Sequence, residues 1–240
     1  MKTGIISDIH SNFEALTAVL SALEREKVER IVCLGDLVGY GPDPNACVET
    51  VLNSAAFSVA GNHDHGVAGL TPIEPFNLHA RTAVEWTRTQ IEPRWMSALS
   101  SLPLVAVDDA FMAVHATPNF PAKWHYLFSE DEIADNLEAM TVPVCFVGHS
   151  HAPVAFELNS EHDILMRPAD EIRFQPGRKY LINVGSVGQP RDGDPRAAYG
   201  VLSDGVFTLK REVYDIAAVQ ARMRQAGLPA PLIERLSTGQ

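Results

Sequence analysis

Five short apolar runs in this chain each end in a small cluster of Asp, His, Asn or Gly, and this arrangement restricts the possible folds more than any other feature. Thr3–Ser7 leads into Asp8-Ile-His10, Arg30–Leu34 into Gly35-Asp36, and Ala56–Ala60 into Gly61-Asn-His-Asp64. Phe111–His115 ends on a single histidine, and Val142–Val147 leads into Gly148-His-Ser-His151. Such runs, bounded by turn residues, read as buried strands. Helical patterns lie between them. Ser11 is placed to cap a helix, with Glu14 completing a capping box and Phe13, Leu16, Val19, Leu20 and Leu23 as the apolar stripe. Asp43-Pro44 opens a helix reaching Asn53, residues 75–101 read as helix broken at Pro93, and Ser129 with Glu132 caps another.

Strands alternating with helices predict an α/β class. From Val154 to Tyr214 the apolar period falls toward two, Asp204-Gly205 marks a tight hairpin, and two short helices flank Gly227. The expectation is a single domain over residues 1–240: parallel units first, a meander of strands later, and two packed sheets with helices outside.

In open α/β sheets the loops beyond the carboxyl ends of the strands converge on one crevice. Here those exits deliver carboxylates, imidazoles and an amide, the hard-oxygen and nitrogen donors that bind divalent metals. The ordered set Asp-x-His, Gly-Asp, Gly-Asn-His-Asp, His and Gly-His-x-His, spanning residues 8 to 151, resembles the calcineurin-like metallophosphoesterase superfamily. The resemblance implies a four-layer αββα sandwich of two mixed β-sheets flanked by helices. It also implies two divalent ions (Mn, Fe, Zn, Co or Ni). One would be held by Asp8, His10, Asp36 and His151, the other by Asp36, Asn62, His115 and His149, with Asp36 shared. The implied reaction is hydrolysis of a phosphodiester by a hydroxide bridging the ions. His63 would face the leaving group, and Asp64 would orient its ring and keep it cationic. If Asp-x-His and His-x-His are extended, alternate side chains share a face and both members of each pair point into the site.

Residues 183–199 and 76–87 look like signatures of a prokaryotic subgroup of phosphodiesterases. In that subgroup the loop after the lone histidine commonly carries Arg and Asp where this chain has Asn119 and Phe120, so no substrate contact transfers there. Trp124, His125 and Tyr126 either stack on a base or aryl group or anchor the loop. Arg191 either reaches a phosphate or pairs with Asp192 or Asp194. His65 either touches the cleft or, as the simpler reading, is solvated in its loop, His79 and His162 are expected at the surface or in hydrogen bonds, and Gly4, Gly39 and Gly41 are expected to serve as turns.

The net charge of −11 argues against a duplex nucleic-acid partner, which needs clustered Lys and Arg, and favours a small phosphorylated substrate. Cys33, Cys47 and Cys145 are too few and too scattered for a disulfide framework or a metal-binding CxxC. No apolar run reaches the length of a membrane span, so no membrane partner is expected and the location implied is cytoplasmic. A phosphomonoesterase or a dinucleoside polyphosphate hydrolase would use the same site. A non-catalytic scaffold fits less well, because every motif residue is kept. An HD-type dyad at His63-Asp64 fits less well again, because that chemistry sits on an all-helical fold. The native metals and the oligomeric state are not specified by the sequence.

Overall fold

The computed structural model describes residues 1–240. The first half alternates as read: β1 (Thr3–Ile6), α1 (Phe13–Arg25), β2 (Arg30–Cys33), α2 (Pro44–Ser54) and β3 (Ala55–Ser58). Three helices follow, α3 (Asn62–Ala68), α4 (Leu78–Gln90) and α5 (Pro93–Ser100), then the hairpin β4 (Val105–Val107) and β5 (Met112–Val114). Next come α6 (Glu130–Ala139), β6 (Val144–Val147), β7 (Val154–Leu158), β8 (Ile164–Arg167) and β9 (Glu171–Arg173). The chain closes with β10 (Lys179–Asn183), β11 (Ala197–Ser203), β12 (Val206–Glu212), α7 (Ile216–Gln225) and α8 (Ala230–Glu234).

The strands form two six-stranded mixed sheets, ordered β3-β2-β1-β11-β12-β9 and β4-β5-β6-β10-β7-β8. Each has a parallel heart, β3-β2-β1 in one and β5-β6-β10 in the other, continued by antiparallel strands. Strand alternation sorts the side chains into layers. In β6, Val144 and Phe146 meet Ile5, Val32, Phe111 and Phe207 between the sheets. Cys145 and Val147 face outward to Leu137 of α6 and to Met140. On the opposite outer layer α1 packs Leu16, Val19 and Leu23 onto Ile6, Cys33 and Val201. The result is helices, sheet, sheet, helices. No helix is long and apolar enough to cross a membrane.

Several local expectations change. Asn12, not Ser11, caps α1: its Oδ1 accepts from Ala15 N–H at 3.1 Å. Ser11 is held at φ +53°, outside the extended region a cap requires. Glu14 is thereby freed from the capping box and pairs with Arg222 of α7, which also reaches Asp43. The later strands are not a simple meander, because β10 returns to lie parallel to β6. Gly4 is no turn. It lies in β1, where a Cβ would press on Leu23 of α1. The Ser129–Glu132 capping box and the Asp204-Gly205 hairpin form where the sequence placed them.

Candidate metal centre

The carboxyl ends of β1, β2, β5 and β6 and the start of α3 meet at one end of the paired sheets. They bring Asp8, His10, Asp36, Asn62, His115, His149 and His151 together there, all of them buried. The extended geometry expected for the paired motifs is not what delivers them. Asp8 (φ +54°), His10 (+49°), Asp36 (+53°), His149 (+66°) and His151 (+62°) all occupy the left-handed region. Each such non-glycine residue costs on the order of 1–3 kcal/mol, and strain of this kind collects at functional sites. These strained turns directly follow the strand ends. They also demand small neighbours: a Cβ on Gly148 would strike Ser7 Oγ and the Asp8 carboxylate.

Ligand atoms of Asp8, His10, Asp36 and His151 all lie within 4.8 Å of one another. His10 Nδ1–H donates to Val38 O at 3.1 Å and His151 Nδ1–H donates to Gln189 O at 2.6 Å. These bonds fix the tautomers, so both Nε2 atoms turn lone pairs inward, only 3.0 Å apart. Two facing lone pairs repel unless a cation lies between them. That donor set fits a divalent ion. Beside it, His115 Nδ1–H donates to Leu34 O at 2.8 Å, and its Nε2 stands 3.2 Å from Asn62 Oδ1 and 3.3 Å from Asp36 Oδ2. His149 Nδ1 lies 2.9 Å from the same amide oxygen, and its Nε2 is buried with no hydrogen-bond partner. Asp36 Oδ2 is 3.5 Å from His10 Nε2, so one carboxylate oxygen looks toward both groups of imidazoles. Its other oxygen is taken by the His63 N–H at 2.8 Å.

Without metal the charges are unevenly placed. Burial opposes ionisation of Asp8, but His151, His10 and His115 hold its carboxyl well below the usual range. Asp36 is lowered in the same way, with His115 and His63 outweighing burial. His115 is pulled down by burial yet lifted to about 9 by Asp36 and Asp8. Burial lowers His149 to about 4, with His115 adding to it, and lowers His151 to about 3, with Arg191 adding. Those two rings are therefore neutral at pH 7 and ready to coordinate.

His63 lies at the cavity edge between Tyr40 and Phe76, with ring centroids 4.4 and 5.0 Å away. Asp64 does not orient this ring. Its carboxylate accepts from the N–H groups of Gly61, Asp36, Leu37 and Val38. As the third residue of α3 it folds back to the helix start and accepts from the Gly61 N–H at 2.9 Å, the acidic half of a capping box. His63 Nδ1 has no partner, and burial holds the imidazole well below its usual pKa with Asp36 opposing. The expected cationic dyad is replaced by a neutral ring and a carboxylate that braces the Asp36 loop.

Among the three substrate candidates, Tyr126 stacks on His149 at 4.2 Å, and Trp124 stands edge-on to His65 and His115. Trp124 Nε1–H also donates to Thr71 Oγ1 at 3.2 Å, so Trp124 both lines the cavity and anchors its loop. Arg191 pairs with neither Asp192 nor Asp194, which are taken by Arg211 and Arg196. It donates to Gln189 Oε1 at 2.7 Å and lies over Tyr40. His65 lies half-buried in α3 and lines the cavity instead of a solvated loop.

Two contributors lie outside the five motifs. Tyr40 packs on His10 and His63, and Asn183 ties Gly148 O and Ser150 Oγ across the Gly-His-Ser-His turn. Gly39 and Gly41 held a usable signal for Tyr40. Both admit close approach: a Cβ on Gly39 would strike His63 Nδ1, and one on Gly41 would strike His10 O.

Comparison with known proteins agrees with this geometry. The calcineurin-like phosphoesterase superfamily domain matches residues 1–204. The uncharacterized protein MJ0912 of Methanocaldococcus jannaschii is 40% identical over 98% of this chain and 97% of its own. Phosphodiesterase YfcE of Escherichia coli is 25% identical over 87% of this chain and 91% of its own. The crystal structure of a metallophosphoesterase from Sphaerobacter thermophilus superimposes with a TM-score of 0.88 and 42% identity, covering 100% of this chain and 99% of that one. This chain belongs to the calcineurin-like phosphoesterase superfamily, a family of metal-dependent phosphoester hydrolases.

Proposed function

We propose that the protein is a dinuclear-metal phosphodiesterase acting on small phosphorylated substrates. The observation that carries this reading is the position of Asp36 Oδ2, within 3.5 Å of His10 Nε2 on one side and His115 Nε2 on the other. In this reading Asp8, His10, Asp36 and His151 hold one divalent ion, and Asp36, Asn62, His115 and His149 hold the second. Bound there, the ions supply Lewis acidity and an activated water.

The chain's own groups supply the rest. Carbonyls of Leu34, Val38 and Gln189 fix the imidazoles so that little reorganisation is needed during turnover. His63, neutral and unbonded at Nδ1, donates a hydrogen bond to the leaving oxygen as charge develops there, and water supplies the proton that oxygen finally takes. Asp64 keeps the 36–38 backbone in place and so positions Asp36. Arg191, free of any carboxylate, binds a non-bridging phosphate oxygen, and Tyr126 and Trp124 contact the organic part of the ester.

The YfcE relative is named a phosphodiesterase, which supports the diester assignment. The test is turnover by metal-stripped protein restored separately with Mn, Fe, Zn, Co or Ni. Bis(p-nitrophenyl) phosphate should be cleaved faster than p-nitrophenyl phosphate. Preference for the monoester would overturn the diester assignment, and inactivity with every metal would overturn catalysis itself.

A further inference from the structure

The metal centre forms only the floor of a much larger cavity. Its volume is ≈ 1000 Å³, at the upper end of the range for small-molecule sites. A phosphoryl group over the centre occupies a small part of that space. The remainder has a definite chemistry: although the chain carries 30 acidic residues, Asp36 is the only carboxylate on the cavity surface. One wall is apolar and aromatic, made of Leu70, Pro72, Pro75, Phe76, Ala80 and Trp124.

This wall is built, not incidental. Helix α3 ends at Gly69, whose φ of +75° turns the chain back across the mouth. Leu70 and Thr71 N–H groups both donate to His65 O, and Trp124 from the opposite loop donates to Thr71. Trp124 itself is held at φ +56°, an unfavourable conformation for an aromatic residue. Two acceptors in the wall are already engaged, Asn77 Oδ1 capping α4 and Thr71 Oγ1 accepting from Trp124, and Lys123 adds one cation to the cavity lining. Leu70 is 54% exposed, a large aliphatic side chain with nothing covering it.

We propose that this wall is the specificity pocket for a flat aromatic group carried on the phosphate, about the size of two fused rings. The proposal rests on the reading of the centre as a phosphoester site. Recognition is by the apolar and aromatic faces of this wall, so a nucleobase and a plain aryl ring of similar area bind comparably.

The test compares inorganic phosphate, methyl phosphate, 2-naphthyl phosphate and adenosine 5′-monophosphate as competitive inhibitors of diester cleavage by the metal-loaded enzyme. Naphthyl phosphate and the nucleotide should each inhibit at least ~30-fold more tightly than methyl phosphate. In Leu70→Asn the ratio of naphthyl to methyl affinity should shrink by roughly 5-fold. If both ring-bearing esters bind no tighter than methyl phosphate, while inorganic phosphate inhibits and the diester is cleaved, the pocket is refuted and the phosphoester reading stands. Tight binding of the nucleotide alone would refute recognition by apolar faces. Absence of diester cleavage with every metal would remove the centre's assignment first.

Discussion

The two halves of the centre are built differently. Around Asp8, His10, Asp36 and His151 there are two carboxylates, and both imidazoles are locked through Nδ1 to backbone carbonyls. Around Asn62, His115 and His149 the nearest carboxylate is the shared Asp36, 3.3 Å from His115 Nε2, with Asp8 Oδ1 farther off at 3.9 Å. One imidazole is locked to a carbonyl, and the other leans on a neutral amide with its Nε2 unpartnered. More formal charge and better fixed ligands mean tighter binding of a divalent ion. If two ions bind as proposed, the first half should hold its ion more firmly and the second should be the half that fills and empties. Asp36 makes the two interdependent.

The largest expected effect follows from that dependence. Asp36→Asn should strip both ions and lower turnover by at least ~10³-fold, read by metal analysis and diester kinetics side by side. Retention of both ions would show that the halves are independent. His63→Ala should leave metal content intact and lower turnover by roughly 10²-fold. Loss of metal in that variant would place His63 among the ligands. Asn62→Ala should remove one ion per chain and spare the other, a difference visible in metal stoichiometry after gel filtration. Equal loss from both halves would erase the distinction drawn between them.

The smallest effect is on the stability of the metal-free protein. His149 and His151 are held at about 4 and about 3, below the ordinary histidine value, so between that value and pH 4 the unfolded chain binds more protons than the folded one. Stability should fall as the solution is acidified through that window. His115, raised to about 9, acts in the opposite sense: its contribution is complete below the ordinary value and is lost as the pH rises through 9. The melting temperature of stripped protein should thus peak near neutral pH and decline on both sides. A monotonic rise from pH 5 to pH 9 would contradict the opposed placement of the two histidine groups.

Much of the site is legible in the sequence, because each ligand brings its own donor chemistry and sits where an apolar run stops. The fold follows from the same punctuation, since strands that deliver ligands to one edge must run side by side. What aims the ligands is less visible. Leu34, Val38 and Gln189 act through main-chain carbonyls, which any residue type carries. The left-handed turns at Asp8, His10 and His149 are likewise invisible to apolar periodicity. Asp64 is a different kind of miss. Adjacency to His63 suggests a dyad, but Gly61 and Asp64 are also spaced as a helix cap and its third residue, and the capping role prevails. Parallel pairing of β10 with β6 escapes local periodicity because it joins segments separated by a hairpin.

The shared carboxylate is tested most directly by locating the ions themselves. Crystals of Mn-loaded protein, measured for anomalous scattering, should show two peaks about 3.5–4 Å apart with Asp36 Oδ2 between them. Two imidazoles should face each peak. A single peak bounded by Asp8, His10 and His151, with Asp36 turned away from His115, would contradict the account.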